Sequence, residues 1–427
     1  MVRFQVRAHE DKSRGLLCCH FLGQLMDLLK LLLILSLISI IPGQLIRISV
    51  FGSVILTLSD IIVAITLFVS TSYLLAVKKS VKLTPEIILP AVLFSLVAAA
   101  STILALNTFS PKEVLPSSMF LVRFLLYFSL SQVVANVIAK VNILNWLKVY
   151  LSVGTIFALL GYFQILLFPD LSNLTAFGWD PHQTRLVSTF LDPNFAGGFL
   201  SMVFAISLAL YLEGKKVAYL FLSSTVFLAI ILTFSRSSYL AAFTTLLIIG
   251  LLKSPKILIA FLVFFAAAAL TITPVRTRII GAATIDETSQ ARIQSWQRAI
   301  TIFGQNPVMG VGFNTYRFAQ ARSGFFSFDN PEGGHSGAGS DSSILLTAAT
   351  TGVIGLTAYA FLLLVIVKAF AKKAKESALH LGALSAFVGL IVHSQFVNSL
   401  FFPQIMLPFW FIVGLVYVFE KNGIPKA

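Results

Sequence analysis

PEIILPAVLFSLVAAASTILAL, residues 85–106, decides the class of this chain. It carries one charge, Glu86, at its start and none after it. A helix of about 20 apolar residues, rising 1.5 Å per residue, crosses the ~30 Å hydrocarbon core of a bilayer. Working outward, similar runs fall at 22–41, 58–77, 117–139, 144–168, 194–213, 216–234, 237–252, 256–274, 342–368, 379–398 and 403–420, which makes twelve. The run 237–252 is short, and 42–57 reads as a re-entrant or interfacial piece. The bulk numbers agree. Of 427 residues, 57% are hydrophobic and 11% charged, with mean hydropathy +0.91, against roughly 25% charged in a soluble domain. The expectation is an all-α integral membrane protein of about twelve transmembrane helices, with one large extracytoplasmic loop containing an amphipathic helix. It divides into a bundle of nine spans (1–274), a periplasmic loop (275–340) and three final spans (341–427).

Net charge is +14. No soluble basic domain exists to carry it, which excludes a nucleic-acid partner. The charge sits in short loops, where positive residues set orientation and meet anionic lipid. With the N-terminus inside, the inner face holds Lys78, Lys79, Lys82, Lys140, Lys215, Lys216, Lys253, Lys256, Lys372, Lys373, Lys375, Lys421 and Lys426. The outer face is almost all arginine: Arg47, Arg185, Arg236, Arg276, Arg278, Arg292, Arg298, Arg317 and Arg322, with Lys112. Both termini are then cytoplasmic. Lysine needs only to be a point charge near headgroups, whereas the arginine fork binds phosphate or carboxylate in two places at once. Arg123, near the outer end of the fourth span, joins the outer group, since a charge within a span is a site candidate by default. The set as a whole points to an anionic ligand.

Four segments stand out, all at outer ends of spans. TRLVSTFLDPNFAGGFL (184–200) places Arg185 before a turn, with Asp192-Pro193-Asn194 shaped like a helix cap. TFSRSSYLAA (233–242) puts Arg236 at a hairpin tip, at the depth of a lipid phosphate. RIQSWQRAITIFGQNPVMGVGFNTYRFAQAR (292–322) opens with an amphipathic helix over 289–304 carrying Arg292 and Arg298, with Ile293, Trp296, Ile300 and Ile302 for its apolar side. Asn306-Pro307 ends that helix. Gly310 and Gly312 then allow a tight turn, and Tyr316, Arg317 and Arg322 follow. HSGAGSDSSILLTAATTGVIGL (335–356) carries His335 and leads through Asp341-Ser342-Ser343, a cap, into a span where Gly352 and Gly355 suggest close helix packing. The two cysteines, Cys18 and Cys19, are adjacent and form no disulfide framework. The six histidines are scattered, and HExxH, CxxC, P-loop and GxSxG patterns are absent from the sequence.

Taken together, the arginine before "TF-DPN", the "SR" hairpin tip, the "R-x3-W … NP-x2-G-x-G … Y" string and "SDSS … TTG-x-IGL" resemble the O-antigen ligase/polymerase family of bacterial membrane glycosyltransferases. The resemblance covers roughly residues 180–360. It implies a GT-C-like helical enzyme of the bacterial cytoplasmic membrane. Such an enzyme takes a glycan from a polyprenyl-diphosphate carrier on the outer face and moves it to a hydroxyl of a lipid, glycan or protein acceptor. It implies no metal and no nucleotide or other cofactor. On that reading Arg185, Arg236 and Arg292 meet the diphosphate, with Arg298 and Arg123 next, and Tyr316 and Arg317 contribute from the loop. Ligases open the late span with histidine-asparagine. Here that place reads Asp341-Ser342, so the general base is either Asp341 or His335, and a polymerase fits as well as a ligase. The competing reading is a transporter or flippase of lipid-linked glycan or of an anion. Carriers place charges near the bilayer midplane and break helices there, whereas the charges here cluster at outer ends.

Overall fold

The structure is a computed structural model that describes residues 22–50, 54–77, 84–328 and 339–421. His335 lies outside the described residues. Every one of the twelve apolar runs coincides with a helix. These are α1 (22–38), α2 (Leu58–Val77), α3 (Pro85–Leu104), α4 (Pro111–Val137), α5 (Ile143–Leu167), α6 (Pro193–Gly214), α7 (Val217–Leu232), α8 (Arg236–Leu252), α9 (Pro255–Thr271), α13 (Ser343–Ala371), α14 (Ala378–His393) and α15 (Pro403–Lys421). By length and composition α2, α3, α4, α5, α6 and α13 can each cross a membrane. A seventh is counted if α9 and the following α10 (Thr273–Ala283), bent by 99°, form one broken span. Helices α7, α8, α14 and α15 are apolar but shorter.

The centre of the bundle is α6. It is apolar all round, as a helix with no water-facing side must be, and residues from Ala196 to Leu210 along it are buried. It packs against α14, α7 and α8, while α13 lies on α3 and α15 on α4. Small residues let the helices approach closely. A side chain added at Gly197 would collide with Ser238 of α8, and one at Gly198 would press on His393 of α14. Around the rim, Phe68, Leu96, Leu166, Phe221 and Leu270 are exposed, as side chains facing lipid would be.

Two features depart from expectation. The segment after α1 is a short antiparallel hairpin, not helix: β1 (Arg47–Val50) pairs with β2 (Val54–Thr57), with Arg47 opposite Thr57 and Val50 opposite Val54. Its alternating Ile, Val and Leu suit a pleated ribbon better than a helix too short to span. The all-α expectation is corrected to that extent. The stretch 275–340, read as one amphipathic helix plus loop, also holds α10 and α12 (Tyr316–Arg322) beside α11 (Glu287–Gln305). On α11 the buried residues are Ala299 and Ile302, Trp296 packs at a tilt on Phe396, and Ile300 is exposed. The apolar stripe is therefore rotated from the one read in sequence.

Charge separates along the bundle. The lysines gather at one end: Lys253 Nζ donates to the Lys375 carbonyl, 3.1 Å, and Lys140 and Lys373 both lie over the Phe419 ring. The arginines of the interhelical segments gather at the other.

Candidate functional site

At the arginine end lies a cavity of about 490 Å³. That is the size of a small-ligand pocket. Four arginines line it, Arg47 of β1, Arg123 of α4, Arg292 of α11 and Arg317 of α12, together with Asp180, Asp192 and Asp341. The four are held differently. Arg123 is locked in a two-pronged pair with Asp60, Nε to Oδ1 2.9 Å and Nη2 to Oδ2 2.9 Å, and also donates to the Ile55 carbonyl of β2. Asp60 is fixed in turn by Tyr127 and by the Thr57 amide, so this charge is compensated and rigid. Arg47 sits 4.8 Å over the Trp179 ring. Arg292 and Arg317 make no hydrogen bond or ion pair among the described residues. Burial holds both guanidinium groups below their ordinary pKa, with Asp341 opposing the shift at Arg292. A half-buried cation turned into a cavity, with no partner among the described residues, calls for an anion.

Asp341 belongs to the same wall. The cap of α13 is Ser342, whose Oγ accepts from the Leu345 amide, 3.2 Å. Asp341 therefore does not cap the helix. Its own amide donates to Ser295 Oγ on α11, 3.0 Å, which fixes the chain there. Burial pushes its carboxyl up to about 6; Arg292 opposes this and Asp192 adds to it. The group is thus poised near neutral pH, where a base transfers protons best.

The third and fourth sequence segments interlock. Helix α13 is broken at Gly352, φ 67° and ψ −169°. The main chain of Pro307–Gly312 runs along the break: Val311 N donates to the Ala349 carbonyl (3.0 Å), Gly312 N to Thr350 (3.0 Å), and Val353 N to the Pro307 carbonyl (2.8 Å). Side chains added at Gly310 or Gly352 would each run into the other strand's backbone. Gly352 is therefore a helix break that receives a loop, not a helix-packing notch. This docking orients α11 and α12, which carry Arg292 and Arg317, against the start of α13.

Comparison with known proteins bears on the family. Residues 218–360 match the family model described as O-antigen ligase. The match spans α7 to the first half of α13, a third of the chain, and so includes Arg236, Arg292, Arg317 and Asp341. It supports the O-antigen ligase/polymerase family that the motifs resemble. No curated protein matches the chain.

Within the matched segment and around it, the other predicted residues have varied fates. Arg236, at the first position of α8, pairs with Asp286 (2.7 and 2.5 Å) and donates to Ser289 Oγ, 2.6 Å, so it clamps the hairpin tip to the start of α11. Burial alone would raise Asp286, yet the Arg236 bonds hold it down to about 2. Arg236 also lines, with Arg278, an apolar cavity of about 280 Å³ between α7, α8, α9 and α10, walled by Phe227, Tyr239, Phe261 and Phe265. Arg185 donates to the carbonyls of Thr233 (2.9 Å) and Phe234 (3.3 Å), which caps the end of α7. Arg298 and Tyr316 do not line the larger cavity. The Tyr316 side chain is buried in a small core with Ala299, Ile302 and Leu346.

The sequence reading missed the contribution of the α5–α6 segment. Trp179, Asp180 and His182 face the cavity beside Asp192, which was read as a cap alone. Asp192 is the cap of α6, Oδ1 accepting from Asn194 N (2.7 Å) and Phe195 N (3.1 Å). The neighbouring Asn194 instead accepts from Ser235 Oγ of the hairpin tip, 2.7 Å. Nothing in local spacing marks Asp180 and His182, since their neighbourhood is created by folding.

Proposed function

We propose that the larger cavity is the transfer site of a membrane glycosyltransferase of the O-antigen ligase or polysaccharide polymerase type. The donor is a glycan on a polyprenyl-diphosphate carrier, and the acceptor is a hydroxyl of a lipid, glycan or protein. The observation that carries this reading is the pairing, in one cavity, of two half-buried arginines that have no partner among the described residues with a carboxyl poised near neutrality.

In the reaction the bond from the anomeric carbon to the diphosphate oxygen breaks, and its electron pair stays on the diphosphate. The acceptor oxygen forms the new bond to that carbon, and its proton passes to Asp341. Arg292 and Arg317 oppose the charge that develops on the leaving group, the kind of preorganised stabilisation that contributes most to catalysis. Arg123, already neutralised by Asp60, shapes the wall instead. Direct displacement inverts the anomeric centre. The apolar cavity, with Arg236 and Arg278 at its charged end, is sized for the first isoprene units of the carrier. The chain then lies as a twelve-span protein of the bacterial cytoplasmic membrane, arginine end outward and both termini cytoplasmic, with 275–340 as its periplasmic portion.

The test is glycan transfer in proteoliposomes supplied with polyprenyl-diphosphate-linked glycan and candidate acceptors, comparing wild type with Arg292→Ala and Asp341→Asn. Product from wild type, lost in both variants while they remain monodisperse in detergent, is the expected result. Movement of the lipid-linked glycan across the bilayer without any transfer would assign the arginines to a transport path and defeat the proposal.

A further inference from the structure

Beside the arginine cavity lies a second, smaller one of about 40 Å³, which the transfer step does not use; the two share Phe120, Arg123 and Asn398 as a common wall. Phe313, Leu346, Phe401 and Met406 give it an apolar side. Phe401 is fixed there between Phe313, edge-on at 5.9 Å, and Tyr359, stacked at 5.5 Å. The polar side carries no net charge. Arg123 is the charged side chain in the lining, and Asp60 matches it. Its Nε and Nη2 are committed to Asp60 and the Ile55 carbonyl, which leaves Nη1 as a spare donor. Asn398 is aimed by its neighbours. Ser343 Oγ accepts from the Leu400 amide, 3.2 Å, and donates to Asn398 Oδ1, 3.1 Å. The oxygen of that carboxamide is thereby spent, and its NH₂ has no partner among the described residues. Asn314 lines the same cavity from left-handed backbone, φ 62°, which asparagine tolerates. Its carboxamide also has no partner among the described residues. Thr350, by contrast, spends its hydroxyl on the Leu346 carbonyl, 2.7 Å.

This chemistry selects its occupant. A carboxylate or phosphate finds no unmatched cation in the smaller cavity, and burying it there is costly. A hydroxymethyl group sets a hydroxyl against the apolar side. One water occupies about 10–15 Å³ of such space, so the cavity takes roughly three non-hydrogen atoms. The carbonyl carbon, oxygen and methyl of an acetyl group match that count and are apolar at one end and polar at the other. We propose that the smaller cavity is a specificity pocket for the N-acetyl group of an acetamido sugar seated in the arginine cavity. The acetyl oxygen accepts from the Asn398 NH₂ and from Arg123 Nη1, the acetamido N–H donates to Asn314 Oδ1, and the methyl packs on Phe313, Phe401 and Met406. A sugar with a plain hydroxyl in that place leaves the two carboxamides unpaired and the apolar side uncovered. The loss of one hydrogen bond and one buried methyl weakens its binding by roughly tenfold or more. The inference rests on the transferase reading for the carrier that brings the sugar, and on the pocket alone for the sugar's class.

The experiment measures binding to the full chain in detergent, with two sets of probes. The first set is a short-chain isoprenyl diphosphate, bare or carrying N-acetylglucosamine, glucose, N-acetylgalactosamine or galactose, titrated by calorimetry. The second is the same four sugars free in solution, followed by saturation-transfer NMR. In wild type one acetamido sugar should bind roughly tenfold tighter than its hydroxyl counterpart on the same carrier, and its acetyl methyl should receive the strongest saturation. In Asn314→Gly and in Asn398→Asp that ratio should fall below about threefold. Glycine suits the left-handed backbone at 314, and aspartate still accepts from Ser343, so each variant removes the group under test and keeps the local fold; a shared thermal-unfolding transition checks this. The ratio cancels any change in the grip on diphosphate, which both probes of a pair carry. Wild type that binds the bare isoprenyl diphosphate but does not distinguish the sugars of either pair overturns the proposal and leaves the transferase reading intact, as does a discrimination that survives both substitutions. Wild type that binds none of the diphosphates defeats the transferase reading, and the free sugars then decide the pocket. Methyl saturation lost in both variants supports it, and saturation that is absent or unchanged in both overturns it.

Discussion

The two ends of the bundle carry the same sign of charge and treat it in opposite ways. At the lysine end, ammonium groups rest on a carbonyl or on the face of Phe419, contacts available to any flexible cation near a headgroup layer. At the arginine end several guanidinium groups are drawn inward; Arg123 and Arg236 are fixed by Asp60 and Asp286, while Arg292 and Arg317 line a cavity. The distinction teaches that chemistry is placed by immobility as much as by charge. A rigid fork can be aimed, and an ammonium on a flexible stem is harder to aim.

The comparison can be broken most sharply at Asp341. Asp341→Asn should lower transfer by about 10²- to 10⁴-fold, the usual range for a lost general base. The base must be ionised, so the wild-type rate should fall as pH drops below about 6, in line with the raised carboxyl. The asparagine variant should lack that limb, and a limb that persists would move the base elsewhere. Next, Arg292→Ala should cost about 10²- to 10³-fold, as for removal of a transition-state donor, with lysine restoring only part because it has no fork. Gly352→Ala should then destabilise the fold by about 2–4 kcal/mol, from the left-handed backbone and the contact with Val308, read as a lower midpoint in thermal unfolding. Asp286 gives a pH signature of the same kind in stability. Its folded pKa is depressed to about 2. Its stabilising contribution is therefore present above its ordinary value near 3.8 and is lost as pH falls through about 2. Asp286→Asn should lower the melting midpoint at pH 7 and flatten its decline in acid. Finally, Lys253→Ala, at the lysine end, should change stability by less than about 0.5 kcal/mol and leave transfer untouched.

The helices were legible because each needs only length and apolarity. The run 85–106 declares itself without any partner. The β1–β2 hairpin was not, since a ribbon of Ile, Val and Leu is as apolar as a helix and differs only in having too few residues to span. Half of the candidate site was legible for a related reason. Arg317 and Asp341 stand near Gly and Asn residues, which announce irregular backbone at a helix end, and Arg292 stands on the amphipathic helix that precedes them. Arg185 and Arg236 are as conspicuous, yet the fold commits them to carbonyls and to Asp286, and only three-dimensional packing reveals which arginine is satisfied. The neighbourhood of Asp180, His182 and Asp192 has no linear trace, because the bend of the α5–α6 segment creates it. The buried stripe of α11 differs from the one read in sequence at Ala299, which packs inward, and Ile300, which is exposed.

The break at Gly352 also bears on how the protein is made. The docked Pro307–Gly312 strand is pinned through Ser101, whose hydroxyl reaches the carbonyls of both Met309 and Thr350 across 208 and 249 residues of chain. Ser101 therefore emerges from the ribosome long before the residues that meet it, and closing so long a loop is slow. Until α13 has been inserted, Arg292 and Asp341 have no fixed relation to each other. A chain that ends before this seam holds every arginine yet lacks the contacts that set the Arg292 helix against the start of α13.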